Sequence, residues 1–390
     1  MGPTASKADE IYMKAADIAK QIEKYAQRVD DESRFPEESL RLLRENGLMG
    51  VTVSKQFGGE GISLNQTLAF CRLFGGSCLA TGMIWSMHIQ QVEIISRFAK
   101  ESLKRRLLAQ IIEKQAYVVS VTSVRSGNKG PFATEHAIEP QGNHYLIERF
   151  APTVTGGAHG DIFLTIVRAD ATTEKLTFAV AERSQVSLEI HDSWDVMGMR
   201  GTESCELHMK GEIPNDQVFD PELFDNCCLT VMNPWGHLVW ASTWFGAVKK
   251  MYSKFIKLIR HPNNRQRYNL DSELLLHEVG VIRSKLDLVE TYIDHFSRYY
   301  EQAVTGKELM PDVKPLTYKV KVNDLKIISS ELLTEATDRL MQLGGLVYGY
   351  SKQEDFPLER LYRDIRSSKL MLNNSGLLVA NGRFSLFEGY

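Results

Sequence analysis

Two long stretches of this chain contain no carboxylate that could act as a base. No Asp or Glu lies between Asp364 and Glu388, and none lies between Asp225 and Asp271. Side chains that move protons in enzymes are most often His, Asp, Glu or Lys. Proton transfer at either stretch would therefore need a group such as a histidine, whose ordinary pKa of about 6.5 suits this task at neutral pH.

A run of basic side chains lies inside the second of these stretches. It has no intervening acid and consists of Lys249, Lys250, Lys254, Lys257, Arg260, Arg265 and Arg267. Such a run is usually the solvated face of a helix opposite an apolar seam. Two other roles stay open, because Arg and Lys suit the phosphate oxygens of a cofactor and an acidic carrier protein would dock on the same kind of patch.

Neither the glycines nor the cysteines predict a nucleotide or metal site. The segment VTVSKQFGGEGIS (51–63) lacks the Lys-Ser/Thr of a P-loop and the glycine spacing of a dinucleotide-binding turn, so it predicts a tight turn between helices. The cysteines show no CxxC pair and no histidine spacing typical of zinc. They are Cys71, Cys78, Cys205, Cys227 and Cys228. We expect no metal and a reducing, cytoplasmic location.

Hydrophobic periodicity divides the chain into three regions. Helical periods predict an N-terminal helical domain over 1–114, period-two runs such as YVVSVTS and DIFLTIVRA predict a β domain over 115–222, and long helical periods predict a helical bundle over 223–390. Three apolar seams support the bundle. They run through Leu238, Ala241, Phe245, Val248, Tyr252, Phe255 and Ile259; through Leu275, Val279, Ile282, Leu286, Val289, Ile293, Phe296 and Tyr300; and through Leu325, Ile328, Leu332, Ala336 and Leu343.

Composition excludes several classes of protein. The 390 residues are 43% hydrophobic, which fits two or three globular domains. A formal net charge of −3 argues against a general nucleic-acid binder. No apolar run reaches the roughly 20 residues that a membrane-spanning helix needs, and the N-terminus lacks the apolar core of a signal peptide. Small molecules or proteins are the expected partners.

Three separated motifs resemble the acyl-CoA dehydrogenase superfamily. They are WDVMGMRGTESCELHMKGEIP, FPEESLRLLRENGLMGVTVSKQFGGEGIS and GGLVYGYSKQEDFPLERLYRDIR. The first is similar to the family pattern Trp-x-x-x-Gly-Met-Arg-Gly-Thr-x-Ser at the end of the β domain. The likeness covers essentially the whole chain, and it implies an α+β architecture with a helical N-terminal domain, a central β barrel and a C-terminal four-helix bundle.

The resemblance also implies a flavoprotein. It predicts FAD, with FMN as the less expected alternative, lying between the β domain and the bundle of a homodimer or homotetramer. A flavin ring needs backbone and hydroxyl donors near its polar edge and a wall of apolar side chains. The family's loop Leu-Thr-Glu-Pro-x-x-Gly-Ser-Asp is similar to VTSVRSGNKG here, which makes Thr122, Gly127 and Asn128 candidate flavin contacts, with Ser123 in place of the Glu.

Two further segments carry candidate cofactor contacts. FAPTVTGGAHGD looks like the family segment that ends in Thr-Gly, so Thr155 is the candidate partner of flavin N5 and Gly156 its neighbour. In RLMQLGGLVYGY, Gly344 and Gly345 match a backbone approach to the cofactor. For both Thr122 and Thr155 the alternative is a strand residue with a satisfied hydroxyl.

The family's catalytic Glu is missing at both of its known locations. Leu372 and Gly236 fall there, within the two acid-free stretches. His237, one residue from the second location, is therefore our first candidate base; the alternative is a helix-start residue in an aromatic core. His88 resembles a histidine that related flavin monooxygenases place on an N-terminal helix, and its alternative is a packed core residue.

Three functions remain open at this point. The first is an FAD-dependent oxidoreductase that oxidises a thioester of coenzyme A or an acyl carrier protein in a specialised pathway, passing electrons to an acceptor or to oxygen; oxidation of a hydroxyl or amine carbon would also suit a histidine base. The second is a flavin-dependent monooxygenase of the same fold. The third is a non-catalytic binding subunit, against which Thr122, Thr155 and the complete GMRGTES segment argue.

Overall fold

The computed structural model describes residues 7–125, 132–191 and 194–388. Six helices come first, followed by the strands of the β domain and then the long helices. The first six are α1 (Lys7–Glu23), α2 (Ala26–Asp31), α3 (Glu37–Glu45), α4 (Leu64–Ser77), α5 (Leu79–Phe98) and α6 (Glu101–Glu113). The predicted turn after Val53 is confirmed, since Gly58 and Gly61 adopt φ values of 93° and 61° that favour glycine.

Local sequence explains where the N-terminal helices begin and which of them is central. Helix α4 starts at a capping box, in which the Ser63 hydroxyl accepts the Gln66 amide N–H and the Gln66 side chain accepts the Ser63 N–H. Helix α5 is apolar on nearly every side and is buried along most of its length. It packs against α4, α6 and the first strand of the β domain, so it positions the helical domain against the sheet.

The β domain consists of two sheets. Its strands are β1 (Val118–Val121), β2 (Glu139–Gln141), β3 (His144–Val154), β4 (Ile162–Arg168), β5 (Leu176–Glu182), β6 (Val186–His191) and β7 (Cys205–Pro214). One sheet has the order β1-β4-β5, with β1 and β4 parallel, and the other has the order β2-β3-β7-β6 and is antiparallel. The expected barrel is not closed: no ladder joins the two sheets within the described ranges.

Helices return after the strands, as predicted. They are α7 (Phe224–Cys227), α8 (Asn233–Arg260), α9 (Glu273–Ala303), α10 (Pro315–Gly344), α11 (Leu358–Ile365), α12 (Ser367–Leu370) and α13 (Asn374–Phe387), with a two-residue hairpin of β8 (Val304–Thr305) and β9 (Glu308–Leu309) before α10. The apolar seams of α8 and α9 are largely buried. The α+β class with its helical, sheet and helical regions is confirmed, and over the described residues no helix is long and apolar enough to cross a membrane.

The third seam differs from the prediction. Leu325 and Ala336 are buried as expected, but Ile328 and Leu332 are only half-buried. Helix α10 packs against α8, α9, α11 and α13, so its buried surface is wider than one stripe. That surface includes polar side chains, namely Lys326, Ser329, Ser330, Thr334 and Thr337. A search for apolar spacing misses such a face.

Candidate functional site

The segment Trp194–Ser204 lies where all three regions of the chain meet. The backbone carbonyl of Asp30, in α2, accepts the Arg200 Nε–H at 2.9 Å. The Asp30 carboxylate pairs with Arg363, in α11, through two contacts of 3.0 and 2.5 Å. Since Asp30 is only 5% exposed, this bidentate ion pair is held in a low-dielectric setting. The segment is therefore fastened to both helical regions.

Asp364 fixes the same segment from the other side. Its carboxylate accepts the backbone N–H of Met199 at 2.6 Å. Burial raises the pKa of Asp364 to about 6, and the Met199 hydrogen bond opposes that shift. Nothing in a single sequence distinguishes this carboxyl from an exposed one, so the sequence prediction missed it. Its role in the described geometry is to position the 198–204 turn.

A row of hydrogen-bonded hydroxyl groups begins in that turn. The Thr202 hydroxyl donates to the Met199 carbonyl at 2.8 Å and lies 2.9 Å from the Ser204 hydroxyl, which is 3.3 Å from that of Thr155. The Thr155 carbonyl accepts the Tyr117 hydroxyl at 3.1 Å. Thr155 and Ser204 thus lie together, and each hydroxyl keeps spare hydrogen-bonding capacity.

Gly156 makes this arrangement possible. Its φ is 59°, and its amide N–H donates to the Thr202 carbonyl at 3.0 Å. A Cβ at this position would lie 2.7 Å from the Phe35 ring and 3.0 Å from the Tyr117 hydroxyl. Glycine is therefore required both by the left-handed backbone and by the close packing.

The remaining predicted cofactor contacts are spread out. Thr122 is half-buried just beyond β1, and its hydroxyl lies 3.0 Å from that of Ser120. Gly127 and Asn128 lie outside the described residues. Gly344 ends α10 and Gly345, with a φ of 59°, follows it. A Cβ on Gly344 would lie 2.7 Å from the Gly349 nitrogen, so close packing of the 345–350 turn explains this glycine, whereas Gly345 faces open space.

Both ring nitrogens of His88 are engaged by backbone groups. Nδ1 accepts the Val118 N–H at 3.0 Å, and Nε2 lies 2.8 Å from the Met49 carbonyl, to which it donates. The ring is fully buried, and burial lowers its pKa to about 4, with the charge of Arg44 acting in the same direction. No nitrogen is left for substrate or oxygen. This geometry favours the packed-core alternative over the catalytic role expected for His88.

The lowered pKa of His88 predicts a pH dependence of stability. The folded pKa of about 4 lies below the ordinary 6.5, so unfolded chains bind the extra proton. Stability from this group is complete above pH ~6.5 and is lost as the pH falls towards 4, by up to about 3 kcal/mol. We expect the free energy of unfolding, measured in urea at a series of pH values, to fall less steeply between pH ~6.5 and 4 for His88→Leu than for wild type. An equal dependence of the unfolding free energy on pH in the two proteins would contradict the lowered pKa of His88. Asp364 is present in both proteins, so its contribution cancels from the comparison.

His237 is buried differently from His88. Its Nδ1 lies 2.8 Å from the Val322 carbonyl and donates to it, which leaves the Nε2 lone pair free. Nε2 has no partner among the described residues. Burial lowers the pKa of His237 to about 4, with the charge of Lys326 acting in the same direction and the Val322 hydrogen bond opposing it. The ring is therefore neutral at pH 7, with one nitrogen able to accept a proton.

Other buried polar groups surround that part of the bundle. The indole N–H groups of Trp240 and Trp244 and the Tyr318 hydroxyl also lack partners within the described ranges. The Lys326 ammonium donates to the Asn374 side-chain oxygen, and burial lowers the pKa of Lys326 to about 8. Sequence patterns gave no sign of this lysine, because it occupies a core-facing position of α10. Asn374 begins α13, two residues after Leu372.

The basic run divides into a paired half and a free half. Lys249 pairs with Glu290, and Lys250 and Lys254 pair with Glu23. The free half lies around the C-terminus of α8 and consists of Lys257, Arg260, Arg265 and Arg267. Within the described ranges none of these four side chains makes an ion pair. Arg267 lies over the Tyr348 ring at 5.5 Å, which brings this free half beside the turn that follows Gly344.

The candidate residues thus form two groups. Thr155 joins Ser204 and Thr202 on the β domain, whereas His237, Lys326 and Asn374 lie within the bundle. In the part of the chain that the structure describes, no hydrogen bond links the two groups. A molecule bound between the sheet and the bundle would have to contact both.

Comparison with known proteins decides the family. Residues 9–115 match the family described as "Acyl-CoA dehydrogenase, N-terminal domain", and residues 235–372 match "Acyl-CoA dehydrogenase, C-terminal domain". Together these matches cover more than half of the chain. The chain belongs to the acyl-CoA dehydrogenase superfamily. This confirms the resemblance read from the three motifs and the class of flavin-dependent oxidoreductase, with FAD as the family's cofactor.

Similar proteins agree with this assignment along nearly the whole chain. Acryloyl-CoA reductase (NADH) of Anaerotignum propionicum is 23% identical over 384 residues, covering 90% of this chain and 86% of that protein. Among solved structures, the dibenzothiophene monooxygenase TdsC from Paenibacillus sp. A11-2, with FMN bound, has a TM-score of 0.85 at 18% identity and 97% coverage of both chains. The prolyl acyl carrier protein oxidase AnaB has a TM-score of 0.79 at 16% identity, covering 98% of this chain and 99% of that one. At these identities the structural likeness shows the fold alone.

Proposed function

We propose that this acyl-CoA dehydrogenase-type enzyme uses FAD to oxidise an acyl thioester of coenzyme A or of an acyl carrier protein, with His237 as the base. The observation that carries the proposal is the free, buried Nε2 of His237. This nitrogen lies in α8, next to Gly236, in a helix that contains no carboxylate. A buried acceptor without a partner costs folding free energy unless a bound molecule uses it.

The residues of the β domain fit a flavin. The hydroxyls of Thr122, Thr155 and Ser204 supply donors, and the left-handed turn at Gly156 directly follows Thr155. When bound, FAD supplies the hydride acceptor of the reaction. The row of Thr202, Ser204 and Thr155 hydroxyls is held by Met199 and, through it, by Asp364, so the Thr155 and Ser204 hydroxyls are preorganised.

His237 would take the proton that leaves the substrate carbon. The hydrogen bond from Nδ1 to the Val322 carbonyl fixes the tautomer, so the lone pair is on Nε2, and the bond would also steady the charged ring once the proton has arrived. Lys326 disfavours the protonated ring before substrate binds. The bond between carbon and hydrogen breaks as the new N–H bond forms, and the neutral ring at pH 7 is the state this step needs.

The free half of the basic run suits a phosphate group of the substrate or cofactor. A phosphate of FAD, coenzyme A or the phosphopantetheine arm of a carrier protein presents oxygens that arginine binds well. We expect the charge reversals Arg260→Glu and Arg265→Glu together to raise KM for the thioester more than tenfold while kcat changes less. The matched control is Arg298→Glu, an exposed arginine of α9. Rates with coenzyme A and carrier-protein thioesters then identify the carrier, and an unchanged KM with both would contradict this role.

Self-association is part of the proposal. The C-terminal region exposes a set of large apolar side chains that would be covered by a second copy of the chain. They are Leu346, Val347, Tyr350, Leu370, Leu378, Val379, Leu386 and Phe387, with exposures between 38% and 84%. A homodimer or homotetramer fits such a surface.

Monooxygenation is the second candidate, favoured by the absence of a carboxylate base in both acid-free stretches. His88 does not support it, because both of its nitrogens are bonded to backbone groups. A monooxygenase would require an external reductant and would then consume oxygen only in the presence of its substrate.

A further inference from the structure

A cluster of possible metal ligands lies on the outer face of the four-stranded sheet. Glu189 and His191 are two residues apart in β6, so their side chains share one face of the strand. His208, in β7, is the direct cross-strand partner of Glu189. All three side chains therefore project from the same small area, and none of them is a flavin or base candidate.

The distances between these side chains suit one ion. An oxygen of Glu189 lies 3.6 Å from Nε2 of His191 and 3.5 Å from Nδ1 of His208. The three potential ligand atoms all lie within 4.8 Å of one another. Donors bound about 2.1 Å from a tetrahedral zinc ion are roughly 3.4 Å apart, which is close to the two shorter separations.

Glu148 determines which nitrogen of His208 is free to bind. Nε2 of His208 lies 2.8 Å from the Glu148 carboxylate. The Glu148 carboxylate also lies 2.9 Å from the Lys210 ammonium, and as an acceptor it receives the Nε2–H of His208. In a neutral ring the lone pair is then on Nδ1, facing the oxygen of Glu189. A metal ion or a proton placed between these two atoms would relieve the repulsion between them.

This arrangement of carboxylate, histidine and ligand position is the usual support of a metal-bound histidine. We propose that Glu189, His191 and His208 bind a divalent transition-metal ion, zinc above all, with Glu148 orienting His208. Two imidazoles and one carboxylate favour zinc or copper over magnesium and calcium, which prefer oxygen ligands. Water would complete the coordination. The expectation of no metal was based on the cysteines and could not include this cluster, because its ligands lie on two strands that only their pairing brings together.

The ion would link β6 and β7, the strands that precede and follow the segment Trp194–Ser204. Strand β6 ends at His191, three residues before Trp194, and β7 begins at Cys205, directly after Ser204. An ion bound across these strands stabilises the folded state by mass action. The inference does not depend on the proposed thioester chemistry, since none of its ligands is used there.

Zinc binding to chelator-treated, dialysed protein tests the proposal by calorimetry. We expect one zinc ion per chain and a rise in Tm on adding zinc. His191→Ala and His208→Ala should each weaken zinc affinity more than tenfold and abolish the rise in Tm, and Glu148→Gln should weaken affinity about tenfold. His144→Ala, which removes an exposed histidine at the start of β3, is the matched control and should bind zinc as wild type does.

Two results with zinc would overturn the inference. One is the absence of zinc binding to wild-type protein. The other is equal affinity in wild type, His191→Ala and His208→Ala, which would place the ion elsewhere. Magnesium chloride is added as a second probe, and binding that is as tight as that of zinc would contradict the ligand chemistry. Far-ultraviolet circular dichroism of each variant confirms that a lost site does not reflect a lost fold.

Discussion

Replacing His237 with asparagine is expected to slow flavin reduction by a thioester at least about 100-fold, the usual range for losing a general base. The asparagine amide can keep the hydrogen bond to the Val322 carbonyl, but it leaves no group at the position of Nε2. The change therefore separates the positioning bond from the free nitrogen. Anaerobic stopped-flow absorbance of the bound flavin measures the rate directly, without contributions from the electron acceptor.

A neighbouring variant provides the control for His237→Asn. Trp240 also has a buried nitrogen without a described partner, and its ring lies 5.8 Å from that of His237. Its indole N–H can only donate, so Trp240→Phe removes an unpaired polar atom but no proton acceptor. We expect flavin reduction to change less than about threefold. If His237→Asn reduces its flavin as fast as Trp240→Phe, His237 is not the base.

The second large effect concerns folding, and it is expected for Gly198→Ala. A Cβ at Gly198 would lie well inside van der Waals contact with the Arg363 carbonyl and 2.7 Å from the Asp364 nitrogen. Both are backbone atoms of α11, so neither can move aside as a side chain would. The contact between the segment Trp194–Ser204 and α11 would have to open, which would separate Met199 from Asp364. We expect a loss of about 3 kcal/mol or more in the free energy of unfolding, measured in urea.

Gly280→Ala is the matched control for this substitution. Gly280 lies within α9, and a Cβ there would meet nothing within 4 Å. The same change of glycine to alanine should therefore raise the free energy of unfolding by about 0.5–1 kcal/mol, because alanine is the better helix former. If both variants lose the same stability, the crowding at Gly198 is not the cause.

Periodicity predicted the order of the elements because burial on one face leaves a repeating trace in sequence. The seam of α8 shows this, with Leu238, Phe245 and Phe255 fully buried. The same argument described only part of the buried face of α10, where four packed neighbours bury more than one stripe and where Lys326 faces the core. A lysine in an apolar period reads as surface, and only the fold shows that Asn374 receives it.

Site residues were predictable only where a motif fixes them locally. Thr155 and Gly156 could be named as candidates because the family segment that they match is continuous in sequence. The row that continues through Ser204 and Thr202 depends on a contact across 49 residues of sequence, between Thr155 and Ser204. His88 and His237 look alike in sequence, each on an apolar helix. Their difference comes from distant backbone groups, since Val118 occupies one nitrogen of His88 while nothing described occupies Nε2 of His237.

Anaerobic titration of the purified flavoprotein with a panel of acyl thioesters distinguishes thioester oxidation from monooxygenation. We expect the oxidised flavin bands of the visible spectrum to bleach on adding one of these thioesters alone, with one substrate oxidised for each flavin reduced. Bands that bleach only with an external reductant, followed by substrate-dependent oxygen consumption, would contradict this expectation in favour of a monooxygenase. A protein that neither carries FAD nor takes it up would contradict the flavin assignment itself.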